Sequence, residues 1–529
     1  MKATYVSYKD THSFSKLSLD YLAGEPSLYP FYKFKPSFEG LEEALTNRKF
    51  KGNRLILKEV LLKQYADLET SDAVRSNIEK LADEGTYTIT TGHQLNIFTG
   101  PLYFIYKIVS AIKLAAELAA KYPHLSFVPI YWMASEDHDF LEINHVNLGQ
   151  KKITWEDSQK GATGKMSTVG LLTALKEFQA YLGLEPFADE ISAWMQEAYT
   201  NYPLLADATR YFVNKLFESY GLVILNPDDA ALKRLFSPIL KAELVAMKSH
   251  SMVEETTNQL VDLGYKSQIH PREINLFYLQ NGLRERIEYV NGRYQVNHTS
   301  INFNQTEILQ ELELHPENFS PNVVLRPVYQ ELILPNIAYI GGAAEVAYWM
   351  QLKAVFDLYE VDFPVLLLRN SALLVESRAQ TLLNKLYFSD TDIFAPREEL
   401  IEKWLNNNIE DTASLTAEKQ ALQQILTQIQ SKAGEIDATL VYATKAATVR
   451  IEKIIGQIEH KLFKAQKNNH AVSLNHIDSF KNILFPQQHL QERYLNIVPF
   501  YAKYGPHLIT QLYKSFNPLA AQFTLIHIP

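Results

Sequence analysis

Apolar positions between Tyr87 and Met133 change period twice. A buried strand is predicted over Tyr87–Thr91, an amphipathic helix over Leu102–Lys121, and a second apolar strand over Phe127–Met133. A helix between two apolar strands is the crossover that lets them pair in parallel. The alternation resumes at Leu222–Leu225, which is closed by Asn226-Pro227-Asp228 and followed by a helix to about Ser249. It resumes again at Ile337–Ile340, which runs through Gly341-Gly342 into an amphipathic helix over Ala344–Tyr359, and at Val365–Leu368. These pieces predict a doubly wound α/β sheet.

Two insertions interrupt the alternation. Residues 148–216 read as mainly helical, and the 256–325 insertion holds a β meander over Ile274–Val296, where Asn281-Gly282 and Asn291-Gly292 each signal a two-residue hairpin. The core is then assigned to 1–147, 217–255 and 326–371.

Beyond Arg369 the pattern is helical only. Leu422, Ile429, Ile436 and Ala443 repeat every seven residues, with Leu426, Ala433, Leu440 and Ala447 four behind and Ile454 continuing the second row. This seam predicts a coiled coil in a helical domain over 372–485, a rod of roughly 75 Å if Leu415–Leu462 is one helix. An intramolecular hairpin with helices between Leu373 and Leu405 is the competing arrangement. The final segment, 486–529, is expected to pack back onto the helical domain.

Chemistry concentrates at the ends of the predicted strands, where open α/β sheets bind ligands. After the first strand come Gly92, His93, Gln94 and Asn96, then Thr99 and Gly100 before a helix whose free amides suit phosphate or carboxylate. A polar turn with a helix cap fits this loop equally well. The strand ending at Met133 runs into Glu136-Asp137-His138-Asp139, a group suited to Mg²⁺ or an amine. Glu142 and His145 extend it at helical spacing, which makes a His/Glu zinc site conceivable, but the pattern is not HExxH and ligand binding ranks above metal. Arg326, with Gln330, Glu331 and Glu345 nearby, is costly to bury unless it meets an anion, and an ion pair to Glu331 competes with that reading.

Other strings carry no weight. Gly161-Ala162-Thr163-Gly164-Lys165-Met166-Ser167 lacks the first glycine of a phosphate-binding P-loop, and its Lys-Met-Ser comes too early to be a synthetase lysine loop. Composition narrows the field further. The chain has 529 residues, a net charge of −9, and ordinary globular contents of 47% hydrophobic and 21% charged residues, so two or three domains and a small-molecule partner are expected rather than nucleic acid or an anionic membrane. The absence of cysteine excludes thiolate zinc sites and cysteine nucleophiles. Lys107, Lys113 and Glu117 make the most apolar helix amphipathic rather than membrane-spanning, and a cytoplasmic protein is expected.

The strings TGHQLNIFTGPLYFIYK, PIYWMASEDHDFLEINHV, LRPVYQELILPNIAYIGGAAEVAYWMQL and LQERYLN, in this order, resemble the BshC family, the proposed cysteine ligases that finish bacillithiol biosynthesis. The resemblance spans nearly the whole chain. It implies a Rossmann-like core akin to class I aminoacyl-tRNA synthetases, two connecting-peptide insertions, and a C-terminal α-helical coiled-coil domain that pairs subunits into a homodimer. It also implies a reaction that joins cysteine to the glucosamine amine of glucosaminyl malate, with ATP or another nucleotide activating the cysteine carboxylate and Mg²⁺ compatible with the site. On that reading His93, Asp137 and His138 are the catalytic candidates. Gln94, Asn96, Glu136, Asp139, Arg326, Gln330 and Glu345 contact substrate, with Arg326 on a malate carboxylate, and Gly92, Thr99, Gly100, Gly341 and Gly342 let backbone approach the nucleotide. The chain departs from the synthetase pattern in two ways: only one histidine of a His-x-x-His pair follows the first strand, and no late lysine loop is evident. A nucleotide-dependent ligase or nucleotidyltransferase for another substrate, and a non-catalytic coiled-coil assembly factor, are the alternatives. Amino-acid selectivity and the effect of seam changes at Leu440 separate them.

Overall fold

A computed structural model describes residues 2–408 and 415–529. They form two compact units, Met1–Leu374 with His489–Pro529, and Val375–Gln488. At the centre of the first lie β1 (Thr86–His93), α1 (Leu102–Lys121), β2 (Ser126–Met133), β3 (Val223–Leu225), α2 (Ala230–Ala246), α3 (Arg326–Ile333), β4 (Asn336–Gly341), α4 (Ala343–Gln351) and β5 (Val365–Leu368). All five strands are parallel, in the order β5-β4-β1-β2-β3. The chain therefore winds outward from β1 in both directions, and the order reverses between β1 and β4, where a crevice opens at the carboxyl edge. Ala111, Leu114 and Leu118 of α1 pack on Ile89, Ala338, Ile340 and Val365 of the strands, which explains why α1 carries so apolar a face.

The first insertion opens with a hairpin, His145–Leu148 with Lys151–Thr154, ahead of the expected helices Leu172–Leu182, Ala188–Asn201 and Leu205–Phe217. The second holds the meander Leu276–Gln280, Leu283–Val290 and Arg293–Val296, widened to five strands by Asn302–Phe303 and Phe319–Pro321. Its second turn has positive φ at both Asn291 (51°) and Gly292 (78°), as a type I′ turn demands, whereas at the first only Gly282 (71°) is positive.

The last segment departs from expectation. Residues 489–529 belong to the α/β unit rather than to the helical one. Gln522–Ile528 pairs antiparallel with Lys2–Ser7. Glu492 forms a buried two-pronged ion pair with Arg369, at 2.7 and 3.0 Å, and also accepts from the Ala372 amide. Asn496 donates to the carbonyls of Phe98 (2.7 Å) and Gly100 (2.6 Å), and the Leu495 carbonyl takes the Leu102 amide at 2.7 Å. LQERYLN is thus a clamp on the loop after β1.

In the helical unit the rod predicted over Leu415–Leu462 is two helices, Thr416–Ile436 and Leu440–Asn469. Asp437 leaves the helix at φ −155°, ψ 120°, and its carboxylate caps the turn by accepting from the Thr439 amide and hydroxyl, each at 2.8 Å. The helices run antiparallel, with Lys419 paired to Glu459 and Gly434 beside Val441. The heptad spacing holds on both sides of the break, which is why the turn was invisible in the pattern. The two helices pack mainly on each other, and Lys467 of the second also pairs with Glu398 of the helix Arg397–Asn408.

Removing Glu492 would leave the Arg369 guanidinium buried without a counter-ion. Glu492→Ala is expected to lower the unfolding free energy of the α/β unit by about 3–5 kcal/mol, read from urea denaturation followed by tryptophan fluorescence. A loss below about 1 kcal/mol would mean that the clamp is not held by this pair.

Candidate active site

A cavity of about 600 Å³ opens over the carboxyl edge of the sheet, lined by residues from the ends of β1 and β2, from α3 and α4, and from the meander. His93, Gln94, Glu136, Asp137, His138, Asp139, Arg326 and Glu345, all proposed from sequence, face this one space, and so does Gly92. Asn96, Thr99, Gly100 and Gln330 do not line it, nor do Gly341 and Gly342, which form the turn behind Tyr339 and Glu345.

The positions off the cavity have structural work. Asn96 donates to the Glu142 carbonyl at 3.2 Å. Phe98 and Thr99 adopt positive φ (52° and 72°), a strained conformation fixed by Tyr199, whose hydroxyl takes the Phe98 amide, and by Asn496. Gly100 is required because a Cβ there would sit 2.5 Å from Asn96 Cβ. The start of α1, expected to receive an anion, is occupied by the Leu495 carbonyl. Gln330 is fully buried and donates to Glu331 at 3.0 Å. Glu331 pairs with Arg48 at 3.3 Å rather than with Arg326.

At the crevice between β1 and β4, Lys107 of α1 is buried. It donates to the Gly92 carbonyl at 2.8 Å and pairs with Glu345. Glu345 also accepts from the Tyr339 hydroxyl at 2.9 Å, and Arg326 donates to the Tyr348 hydroxyl. Gly92 lies against this network: a Cβ there would come within 3.3 Å of Tyr339 Oη and 3.5 Å of Arg326 Nη1. A Cβ here would press on the Tyr339 hydroxyl and just touch the guanidinium.

His93 stacks on Phe104 at 4.9 Å and meets the edge of Tyr103 at 5.2 Å. Burial, then the charges of Lys107 and Arg369, hold its imidazole well below the ordinary histidine range, so the ring is neutral. Its Nε2 is buried and has no protein partner. A buried polar atom without a partner, beside a cavity, is a place for a ligand to bond.

The acidic strand end is more occupied than its sequence suggests. Glu136 is paired with Lys233, which is buried and also donates to the Phe319 carbonyl. Asp137 accepts from Gln94 Nε2 and from the His138 amide, both at 2.7 Å. Arg284 lies 3.9 Å above the Phe277 ring and donates to His138 Nδ1 at 2.7 Å, which fixes the remaining ring proton on Nε2. Asp137, His138 and Asp139 offer atoms within 4.8 Å of one another. With His138 Nδ1 taken by a guanidinium, the two carboxylates are the better donors, and they suit Mg²⁺ held jointly with phosphates. Glu142 and His145 do not complete a zinc site: Glu142 takes Gln94, and His145 begins a strand rather than continuing a helix. The Gly161–Ser167 string braces this strand end, with the Thr163 amide on the Asp137 carbonyl (2.6 Å) and the Gly164 amide on that of Ser135 (2.8 Å).

Several site groups were missed from sequence. Lys107 was read as part of a solvated face, yet it sits among Leu102–Ala111, where every neighbour is apolar or small, and that was its signal. Arg284, Lys233 and Arg369 leave no local pattern, because their partners are distant in sequence.

Comparison with known proteins agrees with this architecture. Residues 1–370 match the family described as "Bacillithiol biosynthesis BshC, N-terminal Rossmann-like domain", and residues 372–528 match "Bacillithiol biosynthesis BshC, C-terminal coiled-coil domain". The chain belongs to the BshC family. A relative from Flavobacterium psychrophilum, named "Putative cysteine ligase BshC", is 45% identical over 99% of both chains, and one of the same name from Flavobacterium johnsoniae is 42% identical over 100% of both. Among solved structures, a Mycobacterium tuberculosis methionyl-tRNA synthetase aligns over 81% of this chain and 91% of its own at 10% identity and a TM-score of 0.21. No helix among the described residues is long and apolar enough to cross a membrane.

The neutral state of His93 has a measurable consequence. Below about pH 6.5 the unfolded chain takes up a proton at this residue that the folded chain refuses, so stability falls with falling pH by up to ~1.4 kcal/mol per unit. Imidazole ¹⁵N NMR is expected to show His93 unprotonated through the range in which exposed histidines titrate, and His93→Gln to remove one proton's worth of the acid slope.

Proposed function

We propose that this protein joins the carboxylate of cysteine to the glucosamine amine of glucosaminyl malate in an amide bond, using ATP. The observation that carries the proposal is the convergence of His93, Asp137 and Arg326 on one cavity at the strand-order reversal, with His93 Nε2 awaiting a partner. Family membership supports the substrate choice, since relatives over the full chain length bear the cysteine ligase name.

A carboxylate does not react with an amine until one of its oxygens becomes a good leaving group. ATP supplies this: a cysteine carboxylate oxygen bonds to the α-phosphorus and pyrophosphate departs. The glucosamine nitrogen then attacks the carbonyl carbon, AMP departs, and the nitrogen loses a proton. Among this chain's groups, neutral His93 donates through Nε2 to a phosphoryl oxygen without having to lose charge first. Arg326 faces the carboxylate or phosphate charge beside Gly92. Asp137 and Asp139 hold the cysteine ammonium or a Mg²⁺ ion and receive the proton released by the amine. The cavity brings both substrates together, which replaces a costly encounter with a bound geometry. Pairing of two subunits through the helical unit fits the apolar residues left exposed on its long helices, including Ile429, Ile436 and Ile454.

Purified protein incubated with cysteine, glucosaminyl malate and ATP is expected to yield the thiol product with equal amounts of AMP and pyrophosphate, and to reject serine and alanine. His93→Ala is expected to lower kcat by about 100-fold or more, with partial recovery in His93→Gln, which keeps a donor. ADP in place of AMP would remove the adenylate step but leave the ligase. Equal use of other amino acids would favour a ligase for a different substrate.

A further inference from the structure

We propose that Arg286 of the meander and Arg272, with His270, of the segment leading into it form a dicarboxylate subsite that holds the malyl end of the acceptor. The identity of the ligand rests on the ligase reading; the subsite itself rests on geometry. In the antiparallel pair Leu276–Gln280 and Leu283–Val290, Phe277 lies opposite Arg286 and Leu279 opposite Arg284. Side chains two apart share a face, so Phe277, Arg284 and Arg286 point the same way, and all three line the cavity.

The two arginines differ in what they touch. Arg284 is buried and engaged by Phe277, His138 and Ser320. Arg286, Arg272 and His270 are exposed, line the same cavity, and have no side-chain hydrogen bond or ion pair to any described residue. Three of the four acids that line the cavity have other partners, and the fourth, Asp139, lies 4.0 Å from His138 Nε2. Glu136 is held by Lys233, Glu345 by Lys107 and Tyr339, and Asp137 by Gln94 and backbone amides.

Guanidinium groups facing one concave space without a counter-ion repel each other, and a bound oxyanion relieves the repulsion. Each guanidinium fork matches one planar carboxylate, so two of them suit a dicarboxylate better than a single charge. This moves the malate contact away from Arg326, which is buried against Tyr348 at the strand ends and is left for the group undergoing chemistry. The insertion then selects the acceptor while the sheet edge carries the reaction.

The test uses the full chain and two measurements. By calorimetry, L-malate alone is expected to bind wild type and to weaken by about 100-fold, roughly ten-fold per arginine, in Arg272→Ala/Arg286→Ala. In steady state, the KM for glucosaminyl malate should rise by a similar factor, and the preference over methyl glucosaminide, which lacks the carboxylates, should fall with it. Lysine at both positions is expected to recover only part of the loss. Arg293→Ala, an arginine on the same meander paired with Glu307 outside the cavity, is the matched control and should behave as wild type. The proposal is overturned if wild type does not bind L-malate, if the double variant binds it as wild type does, or if the double variant loses ATP binding while keeping malate. Should wild type bind malate through these arginines yet form no thiol product from cysteine, the ligase reading fails and the subsite stands.

Discussion

One buried ammonium group holds the crevice together. Lys107 rises from the crossover helix α1, bonds to the Gly92 carbonyl where β1 ends, and pairs with Glu345 where α4 begins after β4. These are the two strands between which the sheet reverses direction, so a single side chain ties both halves of the winding at the point where they diverge. A lysine this buried is tolerated because its charge is met on two sides. Through Glu345 the tie extends to Tyr339, and Arg326 with Tyr348 packs beside it against Gly92. The positions of His93 and Arg326 relative to each other follow from this arrangement.

Around that fixed centre, the second insertion supplies one wall of the cavity, and the first supports the acidic strand end without lining it. The first sends the Gly161–Ser167 loop to brace the acidic strand end, and a Cβ at Gly164 would come within 2.6 Å of Ser135 Cβ. The second brings Phe277 and Arg284 over His138. Gly161 of the first insertion lies close to Gly282 and Leu283 of the second, so the two insertions meet each other as well as the sheet. The groups proposed for chemistry thus sit on strand ends, and those proposed for selectivity on added structure.

Much of this was legible from residue pattern alone, for physical reasons. Four of the core strands, buried on both faces, read as near-continuous apolar runs, and β1 as a β-type run of threonines with Tyr87 and Ile89, so all five were found within a residue or two. The strand-end polar groups stood out because they interrupt those runs. What the pattern hid were pairings across long sequence separations, such as Arg369 with Glu492 and Lys233 with Glu136, for which no period exists. The break at Asp437 was hidden for the opposite reason. A heptad repeat that fits one long helix also fits two antiparallel ones, and the single capping aspartate is a weaker signal than the seam it interrupts.

The loop between β1 and α1 is held by residues that leave the ribosome long after it does. Asn496 lies 398 positions beyond Phe98, whose carbonyl it grips. At ordinary translation speeds of about 5–20 residues per second, roughly 20–80 s pass between the two. Throughout that interval the strained Phe98-Thr99 turn lacks its Asn496 bonds, and the first amide of α1 lacks its Leu495 acceptor. The loop can therefore take its final shape only once nearly the whole chain is made, and a chain that stops short of Leu495 lacks the contacts that hold the end of β1 against the start of α1.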